Sequence, residues 1–184
     1  MRKIRYVCLF MLFLLAPLWI YADTTVDPVF KFSWGPNIGF MNWQADITNG
    51  VKFDNTDSLS GYIWSANCGW INVGNDLSLK GFKYANDSPD DYGVNISGED
   101  ANFYYLSGYA WSPNIGWINF DADSDFDTRF GIDTVPRITK SNGVLQGYAW
   151  GANCGWLPLN SGGSIQVDLD GGSIPTESTG WMLR

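Results

Sequence analysis

Hydrophobic and polar residues alternate with a period of two in short stretches of this chain, and turn-forming residues separate the stretches. In the segment from Leu59 to Trp64, Leu59 and Ile63 fall on one face of a strand, and Tyr62 and Trp64 fall on the other. No segment after residue 22 has a helical period, and 21 glycines and 8 prolines indicate many turns. The pattern predicts an all-β fold, and the two apolar faces of this segment predict a strand covered on both sides.

One phrase occurs four times in the chain. It reads W-G-P-N-I-G-F from Trp34, W-S-A-N-C-G-W from Trp64, W-S-P-N-I-G-W from Trp111 and W-G-A-N-C-G-W from Trp150. Such recurrence is typical of repeated supersecondary units. Each copy places an asparagine in a short linker between two strands, where asparagine and a following glycine favour a hairpin turn. These asparagines are Asn37, Asn67, Asn114 and Asn153.

We predict four three-stranded antiparallel units within one domain of residues 23–184, followed by a C-terminal tail. The units span about residues 30–57, 58–100, 105–140 and 144–171. Their third strands are predicted at 50–53, 93–96 and 164–167, and in the third unit at 130–132 or 136–140. We expect the units to pack as a sandwich or a barrel-like closed body, with a small β-propeller or a β-solenoid as the alternative.

The interior glycines of the tyrosine–tryptophan strands predict a close approach by another group. Gly61, Gly108 and Gly147 each precede a tyrosine. A glycine inside a strand often admits a bulky neighbour or another backbone. We expect a tryptophan ring from the adjacent unit to lie on each of them.

The first 22 residues have the layout of a secretory signal peptide. Arg2, Lys3 and Arg5 precede an apolar stretch, and the small residue Ala22 offers a cleavage position. No second hydrophobic segment follows, so we expect no membrane span after cleavage and an exported protein, which is extracellular, periplasmic or at the cell surface.

Charge and composition exclude several classes of function. The chain carries 11 Lys and Arg against 19 Asp and Glu. Cleavage after residue 22 would remove basic residues and no acidic ones, so the remaining chain would be still more acidic. An acidic surface argues against binding to nucleic acids, which are polyanions. The chain has no histidine, which excludes a Ser-His-Asp triad and a zinc–histidine site.

The segment L-S-G-Y-A-W-S-P-N-I-G-W-I-N-F, residues 106–120, resembles the G-Y-A-W-S-x-N-I-G-W-I-x-F repeats of large secreted bacterial proteins. In those proteins a Y-G-V-x-I strand tends to precede the next copy, and residues 92–96 of this chain are similar to it. The resemblance covers most of the chain after residue 22. It implies a module and no particular activity, and the first copy departs from it because Phe40 stands in place of tryptophan.

Two cysteines and several aspartates are candidates for covalent or metal chemistry. Cys68 and Cys154 occupy equivalent positions in the second and fourth copies, where the other copies have isoleucine. They are predicted either as small buried apolar residues or as a disulfide, which export favours. Alternating carboxylates favour a calcium site, with no other cofactor expected, although the run lacks the glycine and distal glutamate of an EF-hand. Its residues are Asp121, Asp123, Asp125 and Asp127, and weaker candidates are Asp87, Asp90 and Asp91, or Asp168 and Asp170.

The aromatic residues permit two interpretations. Tryptophans that recur in every copy are predicted to be core residues that join neighbouring units. These are Trp34, Trp64, Trp70, Trp111, Trp117, Trp150 and Trp156. Aromatic residues outside the phrase are the candidates for exposed ligand contacts, namely Trp43, Tyr104, Tyr105 and Trp181. Exposed, coplanar rings would favour glycan binding, whereas burial of every repeated tryptophan would favour a structural role.

The sequence predicts a non-catalytic structural or interaction module of the cell surface or the extracellular matrix. Its partner would be a glycan or a protein. The alternative is a carbohydrate-binding module that uses exposed aromatic residues. A secreted glycosidase is a more distant alternative, since carboxylates are plentiful but no pair stands out.

Overall fold

The chain is all β in the computed structural model, which describes residues 24–54, 57–75, 82–121, 134–160 and 165–169. The described residues contain no helix, and their strands belong to one antiparallel sheet. The strands are β1 (Phe32–Gly35), β2 (Gly39–Asn42), β3 (Lys52–Asp54), β4 (Ser58–Ser65), β5 (Gly69–Gly74), β6 (Val94–Glu99), β7 (Phe103–Ser112), β8 (Gly116–Asn119), β9 (Arg137–Thr139), β10 (Leu145–Gln146), β11 (Tyr148–Gly151) and β12 (Gly155–Pro158).

The repeated phrase forms four hairpins, β1–β2, β4–β5, β7–β8 and β11–β12, as its turn residues predict. In each turn the glycine after the asparagine has φ of 70–77°, which side chains rarely adopt. Each hairpin pairs two aromatic residues across its strands. The pairs are Trp34 with Phe40, Trp64 with Trp70, Trp111 with Trp117 and Trp150 with Trp156.

The four hairpins close into a ring. Strand β2 pairs with β4, β5 pairs with β7, and β8 pairs with β11. The first and fourth hairpins then meet, because the Asn37 side chain donates to the carbonyl oxygen of Cys154 at 2.9 Å. Equivalent bonds join Asn114 to Cys68 O (2.9 Å) and Asn153 to Ile115 O (3.0 Å). An open solenoid would keep its first and fourth units apart, so the contact agrees with the predicted closed arrangement.

The long strands β4 and β7 extend beyond the ring into a second part of the sheet. There β4 pairs with β3 and β6, and β7 pairs with β6 and β9. These partners lie near the predicted third strands, and β9 falls within the second of the two ranges predicted for the third unit. The other range, 130–132, lies outside the described residues.

The prediction of a tryptophan ring on each strand glycine is wrong. Gly61 and Gly108 have φ of 96° and 94°, and a backbone carbonyl approaches each of them. A Cβ atom on Gly61 would lie 2.4 Å from the oxygen of Gly50, and one on Gly108 would lie 2.4 Å from that of Gly93. At Gly147 the neighbouring oxygen belongs to Val135. The glycines therefore admit another stretch of backbone where the long strands pass from the ring to the second part.

The described core consists mainly of aliphatic side chains and includes the aromatic residues Trp43, Phe53, Tyr84 and Phe120. Trp43 is only 1% exposed, and its indole nitrogen donates to the buried Ser33 hydroxyl at 3.0 Å. Ile63 and Ile71 face each other on the inner side of the second hairpin. Only one face of the hairpin strands is covered by this core, so the prediction of a strand covered on both sides is wrong for the ring.

Candidate functional site: an exposed aromatic belt

Eight aromatic side chains lie on the outer face of the hairpin ring, and we call them the aromatic belt. They are Trp34, Phe40, Trp64, Trp70, Trp111, Trp117, Trp150 and Trp156. Phe40 is 61% exposed, Trp156 is half-buried, and the other six tryptophans are 37–45% exposed. The prediction that the repeated tryptophans are core residues is therefore wrong.

The interior of the ring explains why the tryptophans face outward. The residue after the first tryptophan of each phrase points inward and is buried, and it is always glycine or serine: Gly35, Ser65, Ser112 and Gly151. Beneath each turn lies a buried isoleucine or cysteine, as at Ile38 and Cys68. A ring of four short hairpins has no room for indole groups on this face. Strict alternation along each strand then places the aromatic residues outside.

Several belt rings are packed edge to face. Trp64 and Trp70 have centroids 4.8 Å apart with an interplanar angle of 61°, and Tyr62 meets Trp70 at 6.2 Å and 81°. Tyr109 with Trp117 and Tyr148 with Trp156 repeat this second contact at 76° and 87°. Edge-to-face packing places the positive edge of one ring against the negative face of another, and this attraction stabilises cross-strand pairs. The belt is thus exposed but not coplanar, a corrugated rather than a flat surface.

Tyr92 joins the second and third hairpins across the outer face. Its ring packs on Trp117 at 4.9 Å and 88°, and its hydroxyl accepts a hydrogen bond from the Asn72 side chain at 3.0 Å. Burial raises the pKa of Tyr92, while the Asn72 bond opposes that shift. The phenol is therefore neutral over the physiological range and adds a fixed aromatic wall to the belt.

Three of the four aromatic residues predicted as ligand contacts lie among the described residues, and these three do not belong to this surface. Trp43 is buried, which corrects that prediction. Tyr104 and Tyr105 are half-buried in the second part of the sheet, where Lys140 lies over the Tyr104 ring at 4.5 Å. The Tyr105 hydroxyl donates to Asp100 at 2.7 Å and lowers the pKa of that carboxyl. Trp181 lies outside the described residues.

The predicted calcium loop cannot be assembled from the described residues. Asp121 is exposed, and its carboxylate accepts from the backbone nitrogen of Gly108 at 3.2 Å. Asp123, Asp125 and Asp127 lie outside the described residues, as does Asp170. The carboxylate of Asp91 accepts from the backbone nitrogen of Ala85. No group of three potential metal ligands occurs in the part of the chain that the structure describes.

Both cysteines are buried free thiols in the structure, so the predicted disulfide is absent from it. Each sulfur packs under its own turn: Cys68 Sγ lies 4.0 Å from the oxygen of Gly69, and Cys154 Sγ lies 3.9 Å from that of Gly155. Burial raises the pKa of both thiols, and the neighbouring Cys68 raises that of Cys154 further. The cysteines fill the isoleucine positions as small apolar side chains, the other role predicted for them.

We expect both thiols to resist modification in the folded protein. A raised pKa leaves less thiolate at pH 8, and burial blocks access to it. An aromatic disulfide reagent should therefore label neither cysteine rapidly in the native, unreduced protein. After denaturation without reductant it should label both. Failure to label either one after denaturation would indicate a Cys68–Cys154 disulfide instead.

Comparisons with known proteins give no family for the chain: no family model, curated protein or solved structure matches it significantly. Among the described residues, no helix is long and apolar enough to cross a membrane.

Proposed function

We propose that the protein is an exported, non-catalytic module that binds a neutral polysaccharide on its aromatic belt. The observation that carries the proposal is the exposure of the belt: six tryptophans of one continuous face each leave more than a third of their surface to solvent. The rings that the sequence suggested as the core are therefore the ones available to a ligand. They meet the exposure expected of a glycan-binding surface but not the coplanarity, so each sugar ring would stack on a single indole. The export of the module and its similarity to secreted repeat proteins are part of the same proposal.

Sugar rings suit such a surface because one face of a pyranose consists of C–H bonds. Stacking that face on an indole removes apolar area from water, which is worth ~25 cal/mol per Å². Tilted partner rings hold Trp64, Trp70, Trp117 and Trp156 in place, so little conformational freedom of these side chains is lost on binding. The repetition of the pairs around the ring offers several stacking sites to a polymer, which raises its overall affinity.

The net charge favours a neutral polymer over an acidic one. The chain carries a formal charge of −8, and removal of the predicted signal peptide would make the charge more negative. Long-range repulsion therefore disfavours uronic acid polymers, nucleic acids and anionic membranes. An uncharged polysaccharide meets no such repulsion and needs only aromatic faces and hydrogen bonds.

We expect the protein to sediment with at least one of three insoluble neutral polysaccharides: cellulose, chitin or xylan. Trp117→Ala should weaken that binding about tenfold or more. The replacement removes a stacking surface, and a tenfold loss corresponds to ~1.4 kcal/mol. Aromatic residues at the centre of a binding surface commonly cost that much or more when they are truncated. Depletion isotherms of the parent and variant measure the difference.

Val29→Ala is the matched control for this experiment. Val29 is a highly exposed apolar residue outside the belt, so its truncation should leave binding unchanged. The proposal fails if none of the three polymers retains the parent, or if Trp117→Ala binds as the parent does. Self-association that depends on the same tryptophan, seen by sedimentation velocity in place of polymer binding, would make a second copy of the chain the partner of the belt.

A further inference from the structure

A polar pocket adjoins the belt at the second hairpin. It has a volume of about 250 Å³ and is open to solvent. Tyr62, whose ring packs edge-on against the belt residue Trp70, forms part of its wall. A ligand on the belt could therefore enter the pocket without a break in contact. Pockets for drug-sized molecules occupy ~300–1,000 Å³, so this smaller one suits a single sugar ring.

Two opposed glycines line the pocket. Gly61 pairs with Gly74 at the point where the register between β4 and β5 shifts, and both line the pocket. In the third hairpin the position equivalent to Gly74 is Asp121, whose carboxylate bonds to the backbone nitrogen of Gly108. The third hairpin therefore has a carboxylate where the second has Gly74, so the lining of the pocket does not follow from the repeat.

One wall of the pocket is a braced loop that ends at Asn49. The carboxylate of Asp46 accepts from the backbone nitrogen of Thr48 at 2.8 Å and from the Asn49 side chain at 2.7 Å. The Asp46 carbonyl accepts from the backbone nitrogen of Gly50 at 2.6 Å. Thr48 and Asn49 both line the pocket. Their polar groups are thus held in position before a ligand arrives, which reduces the entropy lost on binding.

The opposite walls add an amide, an ammonium group and a hydroxyl. Asn75 accepts a hydrogen bond from the Asn72 side chain through its Oδ1 atom, which orients its amide and leaves the NH₂ group as the donor for a ligand. Lys52 and Ser60 lie opposite each other in the β3–β4 pair and also line the pocket. The described lining residues include no carboxylate. Donors in several directions beside one aromatic ring fit the hydroxyl groups of a sugar.

We propose that this pocket is a specificity site that holds one sugar ring of the neutral polysaccharide, with the Tyr62 ring against the sugar and with Lys52, Asn49 and Asn75 hydrogen-bonded to its hydroxyls. The inference rests on the proposed polysaccharide-binding function. The belt supplies stacking that tolerates many sugars, because every pyranose has an apolar face. The pocket discriminates among them, because a donor that the bound sugar covers without offering a hydroxyl partner loses its hydrogen bond to water, which costs free energy.

Saturation-transfer difference NMR tests the pocket with the monosaccharides glucose, N-acetylglucosamine and xylose. These are the units of cellulose, chitin and xylan. We expect one of them to give signals with the parent. The double variant Lys52→Ala/Asn75→Ala should bind that sugar about tenfold or more weakly. Trp117→Ala should bind it as the parent does, since Trp117 lies outside the pocket.

Lys83→Ala is the matched control, because Lys83 is an exposed lysine that does not line the pocket. Near-UV circular dichroism verifies that each variant is folded. If the double variant does not fold, Thr48→Ala takes its place, and the same loss of monosaccharide binding is expected. The inference is overturned if no monosaccharide gives a signal, or if the folded pocket variants bind it as the parent does.

The failure of the pocket and the failure of the proposed function give different results. Polymer binding that is lost in Trp117→Ala but kept in the pocket variants, without a monosaccharide signal, would overturn the pocket and leave the belt proposal standing. A monosaccharide signal that the pocket variants lose, with no polymer retained by the parent, would support a sugar site in the pocket and refute polysaccharide binding by the belt.

Discussion

Trp43→Ala should lower the free energy of unfolding by about 3–5 kcal/mol, the cost of emptying a large buried volume in a core. Trp43 is almost fully buried, and its indole nitrogen donates to the Ser33 hydroxyl at 3.0 Å. Truncation would also leave that hydroxyl without its donor inside the protein, and Ser33 is itself inaccessible to solvent. Urea denaturation followed by near-UV circular dichroism measures the loss.

Trp117→Ala is the control for this prediction, because it removes the same side chain from the belt. Trp117 loses its edge-to-face contacts with Tyr92 and Tyr109, and such pairs contribute ~0.5–1.5 kcal/mol. Its volume is bounded by water on one side, so no closed cavity remains. Equal destabilisation by the two variants would contradict the division between a buried Trp43 and an exposed belt.

Local chemistry was enough to predict the hairpins. An asparagine followed two residues later by glycine, between stretches with a period of two, specifies a tight turn wherever it occurs. The structure has a hairpin at each copy of the phrase. The third strands were harder to bound, because their partners are the distant halves of β4 and β7 and their own sequences are short.

The face that the tryptophans occupy could not be predicted, because both faces of these strands are apolar. Alternation assigns Trp64 and Ile63 to opposite sides but does not say which side is inside. The decision depends on the radius of the closed ring, a property of all four hairpins together. The residue after the first tryptophan held the available signal: Gly35, Ser65 and their equivalents are small because they face a narrow interior.

The sequence did not predict the hydrogen bonds that close the ring, because the asparagines that donate them already had a local role in the turns. Asn37 and Asn153 suit a turn on their own, so nothing in the sequence required a partner for their side chains. In the structure each side chain also donates to a carbonyl of the adjacent hairpin. The sequence did not predict the pocket either. Gly61 lies opposite Gly74 only because the register shifts there, and residue spacing alone does not predict that shift.

Gly108→Ala should destabilise the protein by about 3 kcal/mol or more. Its Cβ atom would lie 2.4 Å from the carbonyl oxygen of Gly93, and its φ of 94° is rarely adopted by other residues. Strain of this backbone kind and overpacking each cost ~1–3 kcal/mol. The oxygen cannot move aside freely, because it accepts a hydrogen bond from the backbone nitrogen of Tyr109 at 3.1 Å. The midpoint and slope of urea denaturation measure the loss.

Gly98→Ala is the matched control, from the strand that pairs with β7. Gly98 is exposed, and a Cβ atom there would meet nothing within 4 Å. This replacement should change the free energy of unfolding by no more than about 0.5 kcal/mol, as surface substitutions usually do. Equal urea midpoints for Gly108→Ala and Gly98→Ala would contradict this explanation. The close approach of the Gly93 carbonyl would then not be the reason for a glycine at position 108.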